Sequence, residues 1–175
     1  FEITVEADEN IIDLIATDIK NDRLRIHAEE NIGRATKKIY VTLSEVTGLS
    51  SSSGAHLSTE NTVISDKLEI DASSGANINI EMEVSEVDID ASSGANLSLS
   101  GDAQTVFVDA SSGANINAKK LLSKVCHAGA SSGGNLSVNV SEDLTADASS
   151  GGNISYSGEA KVTKKKSVSG SVHKN

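Results

Sequence analysis

Through residues 48–160 the chain alternates apolar and polar positions with a period of two. The alternation is punctuated by a recurring Ser-Ser-Gly phrase. Aligning the segments on that phrase gives columns. Leu68, Val87, Val106, Cys126 and Leu144 form one file before the turn, followed two residues later by Ile70, Ile89, Val108, Ala128 and Ala146. Ala72, Ala91, Ala110, Ala130 and Ala148 come next. After the turn stand Ile78, Leu97, Ile116, Leu136 and Ile154, then Ile80, Leu99, Ala118, Val138 and Tyr156. Small or apolar residues two apart mark strands with one buried face. The turn glycines Gly54, Gly75, Gly94, Gly113, Gly133 and Gly151 lie 21, 19, 19, 20 and 18 residues apart. A period near twenty leaves no room for a crossover helix. It predicts a stacked repeat whose units bury their apolar faces only against neighbours. The fold class is therefore all-β: a right-handed parallel β-helix, or β-solenoid, with 19–20 residues per coil and each coil rising about 4.8 Å. Each coil reads as strand, tight turn, strand, then a looser return such as Ser100-Gly101-Asp102-Ala103.

The turn has a local cause. Glycine reaches positive φ without a Cβ clash, and serine and asparagine bond their own backbone. The column Asn77, Asn96, Asn115, Asn135 and Asn153 reads as an amide ladder between coils, or as residues that merely suit a turn. His56 takes this place in the first recognisable repeat.

The ends depart from the repeat, and we read residues 1–175 as a single domain with three parts. Residues 1–47 form irregular first coils over one open end, 48–160 carry the repeats, and 161–175 make a basic end strand. Phe1, Ile3 and Val5 alternate; Asn10 is placed to cap a short helical turn over Ile11 to Ile15. Asn21-Asp22 sits between Ile19 and Leu24 as a hairpin turn, and Ile39, Val41 and Leu43 mark a further strand. At the other end, Lys164-Lys165-Lys166 discourages edge-to-edge pairing.

Composition narrows the function. Proline is absent and aromatics are 2%, which suits files of aliphatic side chains better than a globular core. A net charge of −10 and a pI near 4.8 argue against nucleic-acid partners and anionic membrane surfaces. No apolar run is long enough for a transmembrane helix. The single cysteine, Cys126, falls in an inward file and reads as a buried, inert thiol.

The candidate site is an outward acidic ladder, Asp71, Asp90, Asp109 and Asp147, which Gly129 interrupts, with Glu69 and Asp88 one column away. Two chemistries suit such a ladder: a weak divalent-cation site, or a carboxylate pair for glycoside cleavage. The simpler reading, which we favour, is a solvated face that keeps the solenoid soluble. Of the histidines, only His127 falls in an outward strand column, and no nucleophile accompanies it. No nucleophile elbow, phosphate loop or zinc spacing occurs, so we assign no catalytic residue, metal or cofactor. Phe107 is the only repeat aromatic expected to face outward.

Val5-Glu6-Ala7-Asp8-Glu9-Asn10-Ile11-Ile12, Leu24-Arg25-Ile26, Ile39-Tyr40-Val41-Thr42, the Asp-Ala-Ser-Ser-Gly phrases and the closing Lys-Lys-Lys-Ser-Val-Ser-Gly-Ser-Val run occur in order over nearly the whole chain. In this order they resemble the putative auto-transporter adhesin head domain, or GIN domain, a domain of unknown function common in Bacteroidetes. The resemblance implies a parallel β-helix related in shape to pectin lyases, an exported location and a role in adhesion. It carries over no catalytic residues. Family members usually begin with additional strands before the Val-Glu-Ala-Asp-Glu segment, so the first coil is expected to be incomplete here. The opening Phe1-Glu2-Ile3-Thr4-Val5 already reads as a strand, as a mature or trimmed product would.

These readings converge on a non-enzymatic, exported β-solenoid at the cell surface or in the periplasm, acting as an adhesion or binding module. Its expected partners are a host or cell-surface protein or glycan, and its open ends offer surfaces for homo-oligomer contact. The alternative is a glycan-active enzyme of pectin-lyase-like shape.

Overall fold

The computed structural model describes residues 2–33, 35, 37–165 and 169–175. Phe1 of the expected first strand, and Lys166, Ser167 and Val168 of the basic end, lie outside them. The chain divides into two compact units, Phe1–Ser44 and Glu45–Asn175.

In the second unit, strands β5 (Gly48–Ser51), β6 (His56–Ser58), β7 (Val63–Ala72), β8 (Asn77–Ala91), β9 (Asn96–Ala110), β10 (Asn115–Ala130) and β11 (Asn135–Ala148) are followed by β12 (Asn153–Ser157), β13 (Lys161–Lys164) and β14 (Ser171–Lys174). Every pairing among them is parallel. The unit is a β-solenoid, as the repeat predicts. The expected files form in register: Ile78 faces Leu97, Leu97 faces Ile116, Ile116 faces Leu136 and Leu136 faces Ile154. Leu97, Ile116 and Leu136 are each at most 3% exposed, so the files are inside. Ala76, Ala95 and Ala114 add a further buried file at the corner. Tyr156 is half-buried against the same core, with the Lys164 ammonium 6.0 Å from its ring centre.

The turn chemistry goes further than glycine. In each Ser-Ser-Gly both the second serine and the glycine have positive φ, for example 51° at Ser74 and 73° at Gly75. The turn is closed by a bond such as Ala76 N–H to the Ser73 carbonyl, 3.0 Å. Two consecutive positive φ values are the signature of a type I′ turn, whose twist suits the strands on either side. A left-handed serine costs about 1–2 kcal/mol. A repeated inter-coil bond offsets it: the Gly75 N–H donates to the Ser93 carbonyl and the Gly94 N–H to the Ser112 carbonyl. The turns are thus a hydrogen-bonded stack in their own right.

The looser return is not a loop. β8, β9, β10 and β11 each run 14–16 residues from one turn to the next. Gly101, with φ 109°, lets β9 bend without leaving the ladder, and a Cβ there would overlap the Met82 carbonyl oxygen.

The first unit is also β-rich but pairs differently. β1 (Glu2–Ala7) and β4 (Lys37–Thr42) are antiparallel, as are β2 (Ile15–Lys20) and β3 (Arg23–Ala28). In place of the irregular first coils expected of residues 1–47, the described strands pair in two-stranded antiparallel ladders. Asn21 and Asp22, with φ 51° and 58°, make the expected hairpin turn. Asn10 does not cap the short helical turn. The turn is a single 3-10 segment, Ile12–Leu14, preceded by Ile11 and without a side-chain cap; Asp8 supplies its carbonyl to the Ile11 and Ile12 N–H groups instead. Leu43 lies just beyond β4.

Candidate functional site

The pre-turn halves of β7 to β11 carry the acidic ladder on their outer face. Parallel register places Asp71 beside Asp90 and Asp90 beside Asp109. Gly129 stands between Asp109 and Asp147. The structure therefore brings the four carboxylates into one column, broken once. The Asp109 side chain leans into the gap, where a Cβ at Gly129 would overlap its Oδ1. Partial burial pushes the Asp90 carboxyl above the usual aspartate range, aided by the charges of Asp88, Asp109 and Asp71. Asp109 is raised likewise, first by burial and then by Asp88 and Asp147, with Lys165 opposing. At the end of the column Lys165 Nζ lies 3.7 Å from Asp147 Oδ2. Among the described residues, no three His, Cys, Asp or Glu side chains are grouped so that they could hold a metal ion.

The next outward column reads Glu69, Asp88, Phe107, His127 and Thr145. Phe107 is exposed, as expected, and stacks on His127 with ring centres 4.9 Å apart and planes within 7°. Sequence spacing alone singled out His127 as the strand histidine. The structure also puts His56 on β6 beside Asn77, and His173 on β14 beside Ser155. His27, on β3, holds its Nδ1 3.8 Å from Asp18 Oδ2. Further along the acidic face Lys67 Nζ meets Glu86 Oε1 at 2.9 Å, and this bond raises the lysine's pKa. Cys126 is buried, and desolvation pushes its thiol up to about 12, out of reach of thiolate chemistry at neutral pH.

The post-turn halves of the strands carry the amide column. Asn115 donates to Asn96 Oδ1 at 3.3 Å, and Asn135 donates to Asn115 Oδ1 at 3.2 Å. Each also donates back to its own turn, Asn115 to the Gly113 carbonyl and Asn135 to the Gly133 carbonyl. For Asn96, Asn115 and Asn135 both sequence readings hold at once, since these asparagines fasten the turn and link the coils, while Asn77 bonds back to the Gly75 carbonyl of its own turn.

Beside this ladder lies a feature that the sequence reading missed. A shallow, open depression of about 370 Å³ is lined by Asn96, Asn115, Asn117, Lys119, Asn135 and Ser137, with Leu97 and Ile116 beneath. It forms where β10 bulges. Asn117 faces Ser98 and Lys120 faces Ser100, so Ala118 and Lys119 together oppose one residue of β9. Lys119 and Lys120 are consequently both exposed. The signal was the 20-residue interval between Gly113 and Gly133, one longer than the interval before it.

A family model described as "Putative auto-transporter adhesin, head GIN domain" matches residues 1–160. No curated protein matches the chain. Among solved structures, a putative adhesin from Bacteroides fragilis is similar with a TM-score of 0.87 and 22% identity, over 99% of this chain and 82% of that one. A putative adhesin from Parabacteroides merdae gives 0.74 and 18%, again over 99% and 82%. A putative lipid binding protein from Parabacteroides distasonis gives 0.67 and 19%, over 99% and 83%. At these identities the likeness to solved structures is one of fold.

Proposed function

The chain belongs to the putative auto-transporter adhesin, head GIN domain family, and from that premise we propose that it is an exported, non-enzymatic binding module that acts in adhesion at the cell surface or in the periplasm. The observation that carries the reading is how the outer polar groups are used. The Asn96, Asn115 and Asn135 amides bond to one another, and beneath the surface the half-buried Ser137 hydroxyl bonds the buried Ser155 hydroxyl of the next coil at 2.8 Å. Such side chains stiffen a surface and present it in fixed register, which suits recognition by contact. The acidic column supports the same reading: its carboxylates stand side by side along a strand face, where they act as a solvated, repelling surface. No helix among the described residues is long and apolar enough to cross a membrane. The solenoid interior is filled by its own files, so lipid binding of the kind named for the Parabacteroides distasonis neighbour would have to use the outside.

The test is direct. The purified domain is immobilised and challenged with arrays of cell-surface glycans and proteins, while polysaccharides are assayed for release of reducing ends. Saturable capture without release supports the binding module. Release of reducing ends from any polysaccharide, abolished by Asp90→Asn or Asp109→Asn, would replace it with the glycan-active enzyme.

A further inference from the structure

Resting on the binding-module reading, we infer that the depression over the β10 bulge binds an anionic glycan chain, with Lys119 pairing to its carboxylate or sulfate group. Three observations carry this. The first is the bulge. A parallel solenoid needs no extra residue in a coil, and a bulge re-aims side chains that a regular strand would send elsewhere. Here alternation with Asn115 and Asn117 sends Lys119 outward to the wall of the depression, and the bulge turns Lys120 outward beside it. Two side-chain bonds hold the bulge in place: the Lys119 N–H donates to Asn117 Oδ1, and Asn139 Nδ2 donates to the Lys119 carbonyl, both at 3.3 Å. The backbone under the ammonium is therefore pre-set.

The second is the state of that ammonium. In this acidic chain three lysines find carboxylate partners, Lys67 with Glu86, Lys165 with Asp147 and Lys174 with Glu159, while Lys120, Lys124 and Lys161 are in no such pair among the described residues and lie outside the depression. Among the described residues Lys119 has no carboxylate within ion-pair range. Its charge is open to an incoming anion.

The third is the complement of hydrogen-bonding groups around it. Asn115 and Asn135 have both amide hydrogens engaged, one with a turn carbonyl and one with the preceding asparagine. What the ladder shows to an approaching molecule is carboxamide oxygen, each with a second lone pair. With the amide groups of Asn96 and Asn117 beside it, this row of acceptors with one cation fits a ligand rich in hydroxyl groups and carrying one negative group. An acidic sugar unit has that composition. A neutral sugar leaves the ammonium unpaired, and a phosphate-rich polymer needs several cations where the depression offers one.

The experiment is a titration of the ¹⁵N-labelled domain with oligosaccharides bearing uronate, sialate or sulfate, each beside a neutral counterpart and beside free acetate and sulfate. The expected result is saturable shifts at the amides of Asn115, Asn117, Lys119 and Ser137 with at least one acidic oligosaccharide. That affinity should fall tenfold or more in Lys119→Gln, survive in Lys119→Arg and be unchanged in Lys161→Gln, with folding of each variant verified by its own spectrum. Equal shifts with free acetate or sulfate would reduce the site to simple ion pairing and overturn the inference. So would the absence of shifts at these amides with every acidic oligosaccharide, or affinity that is indifferent to Lys119→Gln. Binding that maps elsewhere on the domain would defeat this assignment and leave the binding-module reading standing.

Discussion

The two units of this chain are both made of strands, yet only one of them builds a core. In the solenoid, residues of modest size, including Ala76, Ala95 and Ala114 as well as Leu68 and Ile89, are almost wholly buried. In residues 1–44 only Ile11 is buried among the described residues, while Ile12, Ile19, Ile26, Tyr40, Val41 and Leu43 are exposed. The difference is not one of composition. A two-stranded antiparallel ladder covers at most one face with its own side chains and is marginal alone. A coil in a stack is roofed and floored by copies of itself, so even alanine is enclosed. Burial here is a property of repetition.

That contrast can be broken from the solenoid side first. Leu136→Ala in the middle of a file should destabilise the protein by about 2–5 kcal/mol, because the parallel stack cannot collapse around the void. Ile19→Ala on β2, at a position 57% exposed, should change stability by no more than about 0.5 kcal/mol. Denaturant melts of the two variants give the comparison; equal losses would refute it.

Glycines sharpen it next. Gly101→Ala adds a Cβ against the Met82 carbonyl at a φ that side chains avoid, so it should cost more than Gly133→Ala, which meets open space. The latter should cost about 1–2 kcal/mol, the left-handed penalty alone. The difference in melting midpoint between the two reads the clash with Met82 together with the less favourable φ of Gly101.

Cys126 reports on the integrity of the files. Its buried thiol, with a pKa pushed up to about 12, should react with an alkylating reagent at neutral pH only as fast as the solenoid opens. A cysteine placed by Ile19→Cys should react at once. Rapid labelling of Cys126 in the folded protein would mean that the stack is loose.

The smallest effect concerns charge. The raised pKa of Asp90 means that the folded state holds its proton more tightly than the unfolded state. The stability this group contributes is fully present below its ordinary value near 3.8 and is lost as pH rises through the raised value. Asp90→Asn should therefore match the parent protein at low pH and exceed it at neutral pH. The carboxylate is largely solvated, so the gain should stay within about 1 kcal/mol and shrink with salt. Paired melts at pH 3 and pH 7 check the sign.

Much of the solenoid was legible because its information is local and repeated. Alternation at Leu97, Leu99, Ile116 and Ala118 states which face is buried, and the recurring Ser-Ser-Gly states where the chain turns. The acidic column was legible for the same reason. Other features depend on contacts that no single repeat encodes. The left-handed serines need the inter-coil bond from glycine to serine to be affordable. The unbroken path of β9 through Gly101 needs Met82 alongside it. The antiparallel pairing of Glu2–Ala7 with Lys37–Thr42 joins segments some thirty residues apart with no repeat to announce it. The bulge at Lys119 showed only as one additional residue in an interval.

The central claim is that side chains one winding apart touch inside the solenoid. Methyl-to-methyl nuclear Overhauser contacts in a protein with labelled isoleucine and leucine test it most directly. The account predicts contacts from Ile116 to both Leu97 and Leu136, each about a winding away in sequence. Their absence, or contacts from Ile116 only to residues near it in the chain, would contradict it.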